Sequence, residues 1–304
     1  MARFCVGDIE QLLFAAFPAA DAQDGDRIGL LVGERASIVT RIAIALDATV
    51  PTVEQAAALG CNVLVTHHPA FWFAPTSFLS ERSCASADGA TVYAAARAGV
   101  ALINMHTNLD CAPSAADMLL APVGLEYLAP LQPSNKTASG ALPSDKGSPS
   151  RTEPRGDADS ESSQRAASPV CPVVSLGQIA RPANGQAHIS LETLAGNYKA
   201  AFGQVAKVWG DPARPLFKVA VCSGGAGEVV AEVIASGVDC FVTGEVRHHE
   251  ALYLMDAGIT LIELGHDTSE LPYRYKLQEA LTQAGFANTD LSILKPTATW
   301  WQPH

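Results

Sequence analysis

Three short patches of this 304-residue chain carry imidazoles and carboxylates together: Thr66-His67-His68-Pro69, His106-Thr107-Asn108-Leu109-Asp110, and Gly265-His266-Asp267-Thr268-Ser269-Glu270. Imidazole nitrogens combined with carboxylate oxygens suit zinc, iron or manganese. With a coordination position left open, such a site activates water or polarises a substrate. These residue types say where metal chemistry would happen more clearly than which chemistry it is; metal-assisted hydrolysis is the leading hypothesis.

Each patch also has a plainer reading. His67 and His68 follow an apolar run; at a strand-to-loop junction both rings can turn to one ion pair, or they simply close the strand as polar residues. Asp110 is a candidate ligand or bridge, whereas His106 reads equally as a ligand, as an orienter of one, or as a proton shuttle. His266 and Glu270 are four apart and share a face if they open a helix. The same residues also describe a capped helix start, with Asp267, Thr268 or Ser269 as N-cap and Glu270 near the positive end of the dipole.

Two further strand ends carry polar groups. In Thr243-Gly244-Glu245-Val246-Arg247-His248-His249-Glu250, His249 or Glu245 could act as general acid or base and Arg247 could meet an anion; a polar helix start on the surface is the alternative. The loop Cys222-Ser223-Gly224-Gly225-Ala226-Gly227 leads from a strand into a helix, where backbone amides can cradle phosphate. It lacks the P-loop lysine and the dinucleotide glycine spacing, and a tight turn explains it as well.

The elements that must position these groups read as α/β units. Arg41–Leu46, Asn62–Val65 and Val100–Ile103 are strand-like apolar runs, separated by helical segments at Val53–Leu59 and Gly89–Ala98. The rhythm returns with Lys218–Val221, a helix near Glu228–Ala235, Cys240–Thr243 and Thr260–Glu263. Continuous apolar strands alternating with helices imply largely parallel sheets covered on both faces. A last helix is expected from Ser269, since Pro272 is tolerated in a first turn. The expected plan is two similar α/β lobes, residues 1–132 and 170–304, with the metal site between them. Residues 133–169, rich in Ser, Pro, Gly and charge, are expected to be a disordered insertion, because they cannot bury enough surface to offset their ordering entropy.

A net charge of −11 argues against a broad surface for nucleic acid. The seven cysteines are scattered and contain no Cys-x-x-Cys pair, a pattern that fits a reducing cytoplasm. The amino terminus lacks the charged region of a signal peptide, and no stretch approaches a bilayer span of about 20 apolar residues. A cytoplasmic protein without a membrane segment is the expectation.

At these motifs the sequence resembles the Nif-three-like dinuclear metal-centre family, whose members are often labelled GTP cyclohydrolase I type two homologues. The matching patches occur in one order along the chain: Gly29-Leu30-Leu31-Val32-Gly33, Leu46-Asp47-Ala48-Thr49, Thr66–Pro69, His106–Asp110, Thr243-Gly244-Glu245 with His249, and Gly265-His266 with Ser269-Glu270. The resemblance implies that His67, His68, Asp110, His266 and Glu270 bind two divalent ions between two α/β lobes. It also implies a ring-shaped homohexamer and a nucleotide or related heterocycle as substrate. His249 and Glu245 are then the proton-transfer candidates. The rival reading is a non-catalytic metal carrier, or a cofactor-binding or regulatory scaffold. Two departures stand out: Asp26-Arg27-Ile28 replaces an Asp-Asn pair before the first Gly-Leu, and Ser114-Ala115-Ala116 replaces a Gly-Gly-Val-Asn stretch after Asp110.

Overall fold

In the computed structural model, residues 4–80, 87–133, 174–205, 207–296 and 300 are described. The strands in chain order are β1 (Gly29–Val32), β2 (Ile42–Ala45), β3 (Val63–Thr66), β4 (Ala101–Asn104), β5 (Leu125–Pro133), β6 (Ser175–Pro182), β7 (Ile189–Ser190), β8 (Lys207–Trp209), β9 (Pro215–Leu216), β10 (Val219–Gly225), β11 (Cys240–Glu245), β12 (Thr260–Glu263) and β13 (Leu291–Ile293). β2, β3, β4 and β12 are buried at every residue. That explains why their sequences are apolar without alternation: both faces are covered.

Two sheets result. The first runs β1-β4-β3-β2-β13 and the second β5-β6-β10-β11-β12-β8; β7 and β9 pair separately. Each has a parallel centre, β4-β3-β2-β13 in one and β10-β11-β12 in the other, with antiparallel strands outside it. The expected mixed α/β architecture with largely parallel sheets is what the chain adopts. Period-2 alternation sorts the side chains between layers. Ile42 and Ile44 join a core with helices Val6–Ala16 and Tyr273–Gln283, while Ala43 and Ala45 face the core under helices Val50–Ala58 and Ala87–Ala98. In the second sheet Val219 and Val221 pack toward helix Leu191–Phe202, and Ala220 and Cys222 toward helices Val230–Ser236 and His248–Asp256.

Strand pairing divides the chain differently from a cut at residue 132. β5 belongs to the second sheet, and β13 returns from the carboxyl-terminal half to pair in parallel with β2, Ser292 opposite Ala43. Helix Tyr273–Gln283 follows it into the first core through Leu277 and Leu281. The final helix also differs from the expectation. A short helix, His266–Glu270, ends before Pro272, and a second runs Tyr273–Gln283. Proline has no N–H to continue the ladder but fits a helix start.

Residues 134–173, nearly all of the expected insertion, lie outside the described residues; Pro133 and Ser175 on either side of them are register partners of β5 and β6. Among the described residues no helix is long and apolar enough to cross a membrane.

Candidate metal centre

Most groups of the centre sit at or just past the carboxyl end of a parallel strand. Asp47 follows β2, His67 and His68 follow β3, and His106 and Asp110 follow β4; Ser223 and Gly224 end β10, Glu245 ends β11, and His266 follows β12. This is where backbone amides run out of partners and open α/β sheets gather ligands. The two sheets aim these ends at each other.

The convergence point is the Glu270 carboxylate. Its Oε2 lies 2.9 Å from His68 Nε2 and 3.2 Å from His266 Nε2, and its Oε1 lies 3.6 Å from His67 Nε2. Asp110 Oδ2 is 3.8 Å from His67 Nε2. His67, His68, Asp110, His266 and Glu270 are thus brought together. Three sets of donor atoms lie close enough to share an ion: His68, His266 and Glu270; His67, Asp110 and Glu270; and His67, His68 and His106. Glu270, His67 and His68 each belong to two of them, so the sets are contiguous.

The four histidines are held alike. Nδ1 of His67 is 2.9 Å from the Met105 carbonyl, that of His68 2.7 Å from Asp47, that of His106 3.0 Å from Asp26, and that of His266 3.0 Å from Glu245. An acceptor at Nδ1 fixes the ring and turns Nε2 toward the cluster, the arrangement that orients metal-ligating imidazoles. Asp110 is braced as well. Ser223 Oγ donates to its Oδ1 at 3.1 Å and lies 2.7 Å from the Tyr273 hydroxyl. Burial pushes Tyr273 well above the ordinary phenol range, so it stays a neutral donor or acceptor there.

Electrostatics without an ion show how tightly the acids and imidazoles are coupled. Burial alone would raise Glu270, but the imidazoles of His266, His67 and His68 outweigh it and hold the carboxyl far below its usual range. For His68 burial opposes charging, yet Asp47 and Glu270 push its pKa up to about 10. Glu270 dominates at His266, raising it against burial, with help from Glu245, to about 9. His67 is fully buried, which disfavours charge, and Asp110 and Glu270 still raise it.

The residues present fit a metal. His67 Nε2 and Glu270 Oε2 are buried side-chain atoms with no hydrogen-bond partner among the described residues, despite neighbours at ion-pair distance. Buried polar atoms left unpaired are costly. A cation held here would take up both the imidazole lone pair and the carboxylate charge.

Of the two proton-transfer candidates, Glu245 stands beside His266 and His249 does not join the cluster. His249 lies on helix His248–Asp256 with its ring centroid 5.8 Å from Tyr253. Arg247 and Glu250 form that helix's start, with Glu250 accepting from the Arg247 backbone N–H at 2.8 Å, which is the surface reading of this patch. The glycine-rich loop serves the site through its shape. A Cβ on Gly224 would collide with Glu270 Oε1, so any side chain here would push the carboxylate out of the cluster.

Two carboxylates had no role in the sequence reading. Asp47 orients His68, and Asp26 accepts from His106 Nδ1, from the Thr107 backbone N–H at 3.0 Å and from the Thr107 hydroxyl. Burial opposes ionisation of Asp26, but His106 and Thr107 hold it far below the usual carboxylate range. The available signal for Asp47 was a carboxylate directly after an apolar strand and before a helix cap, the position His68 occupies one strand over.

Known proteins match this chain along nearly its whole length. The profile of the Duf34/NIF3 (NGG1p interacting factor 3) family covers residues 5–297. A "GTP cyclohydrolase 1 type 2 homolog" from Streptomyces coelicolor is 28% identical over 270 residues, 88% of this chain and 82% of its own. A protein of the same name from Clostridium acetobutylicum is 24% identical, covering 95% of this chain and 94% of its own. Among solved structures, a hypothetical protein from Staphylococcus aureus superposes with a TM-score of 0.75 at 22% identity, covering 100% of both chains. With the family profile running from before the first helix to beyond the last strand, and the two-sheet fold shared throughout, this chain belongs to the Duf34/NIF3 family.

Proposed function

We propose that this protein is a metal-dependent hydrolase acting on a nucleotide or related heterocycle, with two divalent ions held by His67, His68, Asp110, His266 and Glu270. The observation that carries the reading is the convergence of His67, His68, Asp110, His266 and Glu270 donor atoms from both sheets on one buried point, where His67 Nε2 and Glu270 Oε2 face each other's partners at ion-pair distance without a hydrogen bond among the described residues. Asp110 and Glu270 would supply the carboxylate ligands, and His67, His68 and His266 the imidazole ones. Bound divalent ions would supply Lewis acidity and a water nucleophile at neutral pH.

The chain's own residues do the remaining work. Asp47, Glu245 and the Met105 carbonyl keep each imidazole from rotating away. His106, held by Asp26 and with a ring 5.1 Å from that of His67, is placed to move a proton at the edge of the cluster, as is Glu245, whose side chain is 60% exposed. The family resemblance further supports a homohexamer, and the cysteine pattern a cytoplasmic setting. Trp72, Phe73 and Phe78 are large apolar side chains exposed in the single chain, which burial between copies would cover.

The test is to purify the protein without chelator, measure metal per chain, and screen nucleotides, phosphoesters and cyclic amides with wild type and Asp110→Ala. The expected result is two ions per chain in wild type, depleted metal in the variant, and turnover that follows metal content. Activity that persists after complete chelation would overturn the proposal. Full occupancy with no turnover would transfer the site to a carrier or scaffold.

A further inference from the structure

A cavity of about 520 Å³ opens beside the metal cluster, with His68 and His266 on one side and the segment after β13 on the other. Its volume is in the range of pockets for small-molecule ligands. Three acids line it, Asp47, Glu245 and Asp267, and each already has a partner. Asp47 holds His68 at 2.7 Å, Glu245 holds His266 at 3.0 Å, and Asp267 accepts from the Thr268 backbone N–H at 2.8 Å and from Trp300 Nε1 at 3.2 Å.

The two permanently charged cations lining it, Arg274 and Lys295, have no carboxylate partner among the described residues. Arg274 is only 8% exposed, and no carboxylate pairs with it among the described residues. Its Nε and Nη1 donate to the carbonyls of Leu271 at 3.1 Å and Leu294 at 2.8 Å, while Nη2 makes no hydrogen bond among those residues. Lys295, exposed at the rim, likewise has no acidic partner there. Two carbonyls and the Tyr275 ring, whose centroid is 5.8 Å from the Arg274 Cζ, hold the guanidinium in place without neutralising it, and its remaining N–H groups suit a phosphate or carboxylate. Trp300 contributes an aromatic wall, half exposed and tethered through its ring nitrogen. Aromatic faces of this kind accept planar rings of many types by stacking.

We propose that this cavity is the specificity pocket of the site and that it takes a planar heterocycle carrying an oxyanion, with Arg274 and Lys295 binding the anion and Trp300 stacking on the ring. The proposal rests on the hydrolase reading for its biological meaning, but it concerns binding alone. Arg274 is a recognition residue, distinct from the metal-holding cluster.

The test is calorimetric titration of the full chain, metal-loaded and after chelation, with guanosine monophosphate, guanosine and inorganic phosphate at fixed ionic strength. Wild type is expected to bind the monophosphate at least ten-fold more tightly than guanosine, and to keep that preference after chelation, which removes the ions as the anion's partner; the Arg274 and Lys295 variants then separate these side chains from His68 and His266, which also line the cavity. Arg274→Gln and Lys295→Gln should each narrow the preference. Trp300→Ala should weaken monophosphate and guanosine alike, by on the order of ten-fold. Lys295 and Trp300 are exposed, so those two variants decide the matter even if Arg274→Gln melts early. Equal binding of monophosphate and guanosine, loss of the preference on chelation, or a preference untouched by these substitutions would each overturn the proposal. Absence of turnover, in contrast, would count against the hydrolase and leave this result standing.

Discussion

At the scale of single residues, the centre is a set of imidazoles that each depend on a second group for their aim. Asp47 is the clearest case: it touches no other proposed ligand, is itself half exposed, and holds His68 Nδ1 at 2.7 Å. We predict that Asp47→Ala lowers metal affinity by about 10-fold or more, the usual cost of losing a group that orients a ligand. Folding should be little affected. Competition against a chromophoric chelator measures the first and thermal melting the second; unchanged affinity would mean the ring is held by other means. The same coupling fixes the pH dependence. In the chelated protein His68, pushed up to about 10, and His266, up to about 9, are both protonated at pH 7.5. An ion needs those lone pairs, so binding must expel protons, and affinity must rise as pH climbs from 7 toward 9 and 10. Titrations in buffers of differing ionisation enthalpy should show net proton release at pH 7.5. Binding without release would contradict the protonated resting state.

At the scale of elements, the site exists because two sheets end at one place, and the loop after β10 sets how near they come. Gly224 has φ +63° and no room for a Cβ beside Glu270, whereas Gly237, with φ +64°, ends helix Val230–Ser236 with nothing within 4 Å of a would-be Cβ. The pair separates strain from steric displacement. Alanine at either position costs about 1–2 kcal/mol for a left-handed conformation; we predict that Gly237→Ala stops there and retains its metal, while Gly224→Ala also displaces Glu270 and loses metal. Equal metal content in the two would show that Glu270 can move without consequence. What was legible in the sequence follows the same division. β2, β3, β4, β11 and β12 could be read because strands buried on both faces need continuous apolar runs. β5, β6 and β8 could not, since they lie outside the parallel centre, two carry Pro at an end, and β8 is largely exposed. The proposed ligands were legible as patches of the right chemistry, but Asp47 and Asp26 were not, because their partners lie 21 and 80 residues away and only the fold supplies them. The return of β13 to the first sheet was equally hidden: three residues carry too little pattern to name their neighbour.

For the whole molecule, that return ties the halves together, since the first core contains Leu277, Leu281 and Leu291 from the far end of the chain. No proposed ligand lies in residues 134–173, and the strands that flank them are already paired up to Pro133 and Ser175. Loop-closure entropy changes only slowly with length, so a short turn in place of the long segment should be thermodynamically acceptable. We therefore predict that replacing residues 134–174 with an Asn-Gly turn leaves metal content unchanged, because β6 would keep its register on β10 and β10 would keep Ser223 and Gly224 in place beside Asp110 and Glu270. Metal analysis and thermal melting test the site and the fold separately. Light scattering on both proteins then tests assembly: a hexamer in both assigns the contacts to the two-sheet body, and a hexamer lost on excision assigns them to the inserted segment. Loss of metal with the fold intact would mean that the insertion reaches the centre after all.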